Sequence, residues 1–160
     1  MPVATIRGVD INYEVLGERG PWVALQPGGR RGLIGVKSLA EKIAEAGCRV
    51  LVYDRRNCGA SAVSFDGGNS ENEIWAADLH ALLSELDALP TYIGGSSSGC
   101  RLALLAALRH PADVRGSCCG ASPAAPMRLS ASFKTITRSL SMRCGRAVWR
   151  RFAAPSISAS

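Results

Sequence analysis

Short apolar runs closed by glycine-rich turns alternate along this chain with segments of helical periodicity. Residues 3–7 and 11–16 read as two short strands joined at Gly8-Val9-Asp10, a hairpin. Trp22-Val23-Ala24-Leu25-Gln26 reads as a buried strand ended by Pro27-Gly28-Gly29. Residues 39–46 keep a helical period with Glu41, Lys42 and Glu45 outward, and Gly47 closes them. Arg49-Val50-Leu51-Val52-Tyr53 is a second buried strand, running into a loop over residues 54–68. Residues 71–86 follow as a helix whose apolar face carries Ile74, Leu79, Leu82 and Leu83. Thr91-Tyr92-Ile93 is a third buried strand, and the good helix formers of residues 101–108 lead to His110-Pro111. Strands alternating with helices imply right-handed crossovers, hence an α/β fold with a mostly parallel sheet and flanking helices. Active sites of such sheets lie at the carboxyl ends of the strands. Both glycine-rich turns, 27–29 and 95–99, fall at that end.

The second of these turns carries the candidate chemistry. Gly95-Ser96-Ser97-Ser98-Gly99 fits G-x-S-x-G with Ser97 at its centre, a strand before it and a helix after it, the arrangement of a nucleophile elbow. A nucleophile on so sharp a turn needs a strained backbone, which persists only where the neighbours are small. Gly95 and Gly99 stand two positions to either side, and Ser96 and Ser98 are small as well. The Ser98 amide falls in the first turn of the following helix, where unpaired N–H groups and the helix dipole favour a developing oxyanion. Two alternatives stay open. The turn could instead cradle a phosphate, or the reactive hydroxyl could belong to Ser96 or Ser98, although only Ser97 has glycines at both required positions.

Size and composition bound the rest. A chain of 160 residues is one domain's worth and long enough to bury a core. The longest apolar stretch, residues 102–108, is far too short to span a bilayer, and the opening MPVATIRGVD has no basic region followed by an apolar one, so no secretory signal is expected. Cys48, Cys58, Cys100, Cys118, Cys119 and Cys144 show neither framework spacing nor C-x-x-C pairs, so cytoplasmic free thiols are expected and neither zinc nor any other cofactor. The net charge of +6 hides an asymmetry: up to Ser117 there are twelve Lys/Arg against thirteen Asp/Glu, whereas the seven basic residues beyond it face no acid at all.

Three motifs in order then resemble the α/β-hydrolase superfamily across residues 8–115. They are Leu25-Gln26-Pro27-Gly28-Gly29, the pattern D-x-R-x-x-G-x-S at residues 54–61, and the serine elbow. In that family the turn after the third strand is commonly His-Gly-x, and its last amide supplies half of the oxyanion hole. The resemblance therefore puts Gly29 beside Ser98 in that role, with Pro27 replacing histidine where only a backbone N–H is required. It implies a structural role for residues 54–61. A serine at the elbow argues against the epoxide-hydrolase and dehalogenase branches, which use aspartate, and leaves esterases, methylesterases and proline-iminopeptidase-like enzymes. The implied substrate is a small-molecule ester or amide, with no nucleic acid and no membrane as partner.

Such a serine needs a histidine base and an acid, which in the family follow it in the chain. Here Asp113 and His110 alone follow Ser97, and His110 ends the elbow helix about 20 Å away at 1.5 Å per residue. His80 precedes the serine on a flanking helix. Both histidines read as surface or helix-end residues, and no triad can be assembled. The family continues after Val114-Arg115-Gly116 with an apolar sixth strand, but here a text rich in Arg, Ala, Ser, Pro and Cys follows. After Asp113, 47 residues pass without an acid, against an average of about one in eight. One synonymous back-translation of residues 117–129, read from its third base, gives Leu-Leu-Trp-Arg-Val-Thr-Gly-Gly-Ala-His-Ala-Ala, an apolar strand with a Gly-Gly turn.

The expected organisation is thus the N-terminal part of a hydrolase domain over 1–116 and a basic segment over 117–160 translated out of frame. Without a sixth strand, the elbow strand would present an unpaired edge. The competing readings are a binding remnant without turnover, or an interaction protein acting through its basic segment. Sequencing the gene across the codons for residues 115–127 checks the frame. A one-base insertion or deletion is expected, and an intact frame confirmed by protein mass would contradict it.

Overall fold

The computed structural model describes residues 1–65 and 68–117, together with the backbone of 118–120. The basic segment beyond Gly120 lies outside the described residues. Six strands form one sheet in the order β1-β2-β4-β3-β5-β6. They are β1 (Val3–Ile6), β2 (Val9–Leu16), β3 (Trp22–Gln26), β4 (Arg49–Tyr53), β5 (Thr91–Ser96) and β6 (Val114–Gly120). The β1–β2 and β2–β4 ladders are antiparallel, and those from β4 through β3 and β5 to β6 are parallel. A mostly parallel α/β sheet was the expectation, and this is one.

The central strands are apolar throughout because both faces are covered. Helix α1 (Ile34–Glu45) lies on one face, where Val23, Leu25, Val50 and Val52 meet Val36 and Ala40. Helices α2 (Glu71–Glu85) and α3 (Ser98–Arg109) cover the other, where Ala24, Leu51 and Ile93 meet Leu79, Leu82 and Leu102. A Ser70–Glu73 capping box starts α2, and the Ser70 hydrogen bonds hold the Glu73 carboxyl below its usual range. Helix α1 begins five residues before the sequence pattern suggests. Its N-cap, Leu33, has no capping side chain of its own, and Asp54, 21 residues on, accepts from the Leu33 amide at 2.6 Å. A cap supplied from another loop leaves no trace in the local pattern.

One expectation is corrected. The elbow strand has a neighbour on each side: β6 pairs with it in parallel from Thr91 opposite Val114 to Ser96 opposite Gly120. The small residues Gly116, Ser117, Cys118 and Cys119 have an extended backbone here because the β5 ladder offers them hydrogen-bond partners, whatever their weak strand propensity. The strand crosses position 116, where the hydrolase part was expected to end.

The pattern over residues 54–61 is a buried polar scaffold. Asp54 accepts from Leu33 N, from Asn12 Nδ2 at 2.7 Å and from Ala60 N at 2.9 Å. Ser61 donates to the Asp54 carbonyl at 2.7 Å and accepts from the Asn12 amide at 2.9 Å. Arg56 grips Asp78 of α2 with two bonds of 2.9 Å, both side chains being buried. Arg7, itself part-exposed, adds a third bond to the same carboxylate at 3.0 Å, so loss of Arg56 leaves the buried Asp78 with one partner. Arg56→Met should therefore destabilise the fold by about 1–3 kcal/mol in urea unfolding, and no measurable change would contradict this account.

Candidate active site

Strands β3 and β5 are neighbours with Gln26 opposite Gly95, so the turns that follow them meet. Ser97 links β5 to α3 with φ 51° and ψ −118°, a positive φ that a side chain rarely adopts. Its side chain is exposed, and among the described residues no hydrogen bond holds its hydroxyl. The flanking glycines explain how the strain persists. A Cβ on Gly95 would fall on the Gly99 carbonyl, and one on Gly99 would stand 2.5 Å from the Gln26 oxygen and 2.8 Å from that of Pro27. Gly28 is equally tight, with a Cβ there 3.1 Å from the Ser97 Cβ. The end of β3, the elbow and the first turn of α3 are thus packed backbone on backbone.

Gly29 occupies the exposed rim of the first turn with φ 58°. Its amide donates to the Ser98 hydroxyl at 2.7 Å, which bridges the two turns directly. Its carbonyl accepts from the Arg55 guanidinium, a buried side chain that also lies over the Trp75 ring at 4.3 Å. Sequence reasoning weighed the Ser98 hydroxyl only as an alternative nucleophile and gave Arg55 no part. The x of D-x-R carries no signal of its own, and the hydroxyl matters only once β3 and β5 are known to be adjacent. Ser97, Ser98, Gly29, Gly95 and Gly99 all converge on one locus, the carboxyl end of the two central parallel strands. Arg30, the residue after Gly29, also borders a cleft of about 330 Å³ together with Asn57, Phe65, Glu71 and Trp75; Ser97, Ser98 and Gly29 do not line it. Arg30 forms an ion pair with Glu71 at 2.7 Å, and both residues border the cleft.

The two histidines are elsewhere. Helix α3 carries the chain away from Ser97 for twelve residues, about 18 Å at 1.5 Å per residue, before His110. There the structure adds something that the sequence did not suggest. His80 of α2 stacks on His110 with ring centroids 3.6 Å apart, and its Nε2 lies 2.8 Å from Asp113 Oδ2. Burial, and then the neighbouring His80, hold the His110 imidazole below its usual range. The signal available was the His110-to-Asp113 spacing around a helix end, and His80 joins only through the packing of α2 against α3.

A fold of this topology with a serine at a strained β5–α3 turn defines a class, and comparison with known proteins agrees. Residues 23–134 match the profile of the alpha/beta hydrolase fold family. The uncharacterized hydrolase YraK of Bacillus subtilis is 32% identical over 109 residues, 68% of this chain and 40% of that protein. A putative non-heme chloroperoxidase of Synechocystis is 37% identical over 91 residues, 57% of this chain and 32% of that protein. Among solved structures, epoxide hydrolase A of Mycobacterium thermoresistibile superposes with a TM-score of 0.70 at 26% identity, covering 87% of this chain and 44% of that one. The chain belongs to the α/β-hydrolase family and spans less than half the length of these relatives.

The glycine contacts rank two substitutions. Gly99→Ala drives a methyl into the carbonyls of Gln26 and Pro27 and should cost about 1–3 kcal/mol or more. Gly29→Ala meets no atom within 4 Å and should cost about 1–2 kcal/mol for the positive φ alone. Thermal unfolding of the two variants checks the order, and a reversed order would contradict the packing described.

Proposed function

We propose that this chain carries the nucleophile and oxyanion half of a serine hydrolase acting on a carboxylic ester or amide of a small molecule. The observation behind the reading is the Ser97 backbone, whose φ of 51° exposes the hydroxyl at the start of α3, against the turn that holds Gly29. In this reading Ser97 Oγ attacks the carbonyl carbon while its proton passes to a general base. The carbonyl oxygen becomes an oxyanion and accepts from the Gly29 and Ser98 amides. To do so it displaces the Ser98 hydroxyl from Gly29 N–H. The exchange is favourable, since a charge-assisted hydrogen bond is roughly twice as strong as a neutral one. Collapse of the tetrahedral intermediate expels the alcohol or amine and leaves an acyl-Ser97, which water then hydrolyses.

A serine in this position supports acyl chemistry over epoxide opening, the activity that the Mycobacterium relative's description names. The base is the open part. The chain holds two histidines, and both lie at the far end of α3 or beside it. Turnover by this chain should accordingly be slow, whereas Ser97 should still react with a strong electrophile.

Treatment with a fluorophosphonate, followed by intact-mass and peptide-mapping mass spectrometry, tests the reading. One adduct on Ser97 is expected, lost in Ser97→Ala and kept in Ser96→Ala and Ser98→Ala. An adduct on Ser96 or Ser98, or labelling that survives Ser97→Ala, would contradict it.

A further inference from the structure

The sequence pointed to no metal, yet two imidazoles and a carboxylate converge at the end of α3 remote from Ser97. We propose that His80, His110 and Asp113 form a binding site for one divalent transition-metal ion of the zinc, cobalt or nickel type, an ion that would clip α2, α3 and the start of β6 together.

The donor set suits such ions: imidazole nitrogen with carboxylate oxygen is borderline in softness, and each residue offers one ligand atom. All three ligand atoms lie within 4.8 Å of one another. Tetrahedral metal bonds of about 2.0–2.2 Å place adjacent ligand atoms roughly 3.4 Å apart. His80 Nε2 and Asp113 Oδ2 share a hydrogen bond of 2.8 Å; an ion entering between them replaces that bond's proton and opens the pair by about half an ångström. His110 has only to turn out of its stack on His80 to bring its nitrogen in.

The backbone beneath is fixed. The His110 amide donates to Ala106 O at 2.9 Å, the Asp113 amide to His110 O at 3.1 Å, and the Thr91 amide to Asp113 O at 2.9 Å. The turn that carries two of the three ligands is thus tied to α3 on one side and to β5 on the other. Behind the cluster a cavity of about 10 Å³ is walled by Leu83, Leu89, Ile93 and Val114, close to the smallest space that holds one water-sized sphere. On the other side His80 and Asp113 are 30% and 38% exposed, leaving room for water to complete the coordination. Arg109, the residue before His110, has its guanidinium engaged by Glu73. At about 18 Å from Ser97 along α3, the ion would take no part in acyl transfer, and the proposal stands apart from the function proposed above.

Titration of the full chain with Zn²⁺ and with Co²⁺ tests this. The thermal midpoint should rise with Zn²⁺ and saturate at one equivalent. Co²⁺ should give visible d–d bands without thiolate charge transfer. His110→Gln and Asp113→Asn should each weaken binding about tenfold or more, with circular dichroism unchanged, and Cys100→Ser should leave it intact. His80→Gln should behave as His110→Gln does. If that variant fails to fold, the other two still decide. A thiolate charge-transfer band, binding that survives His110→Gln and Asp113→Asn together, or no midpoint shift with excess Zn²⁺ would each overturn the proposal.

Discussion

The contact on which the rest of the site depends is the backbone packing of Gly99 on the carbonyls of Gln26, which ends β3, and of Pro27 just after it. It brings the start of α3 within touching distance of the turn after β3 and leaves Ser97 no relaxed conformation to adopt. The φ of 51° at Ser97 is the consequence. Strain of this kind costs of order 1–3 kcal/mol, and it is held by the parallel ladders that flank β5 on both sides. The exposed hydroxyl and the two amides beside it are therefore products of sheet geometry, with little contribution from the side chains of the turn.

A second layer holds that geometry in place. Asp54 gathers donors from β2, from the N-cap of α1 and from its own loop, so a single carboxylate fixes where α1 starts and how the loop after β4 returns. Arg56 and Asp78 bind the same loop to α2. Arg55 then reaches from it to the Gly29 carbonyl and steadies the turn whose amide faces the elbow. The D-x-R-x-x-G-x-S residues thus act on the site through the backbone they position.

Much of this was legible in the chain. The apolar runs at 22–26 and 49–53 are strands at those bounds, because a strand buried on both faces leaves a continuous apolar signature. G-x-S-x-G located the elbow because glycine is the residue type that backbone packing at 95 and 99 admits. Interactions between distant segments were not legible. Asp54 caps a helix 21 residues earlier, the Ser98 hydroxyl bonds Gly29 across 69 residues, and His80 meets Asp113 across 33. The start of β6 shows a different limit. Its small residues carry weak strand propensity, and the partner ladder of β5 decides their conformation.

The central claim is that Gly29 and Ser98 present their amides to an oxygen on the carbon or phosphorus that Ser97 attacks. The direct measurement is the backbone amide spectrum of ¹⁵N-labelled protein before and after phosphonylation. Downfield shifts of both the Gly29 and Ser98 amide protons are predicted, as Gly29 N–H exchanges the Ser98 hydroxyl for the phosphonyl oxygen. A phosphonylated Ser97 with both resonances unmoved would contradict the account.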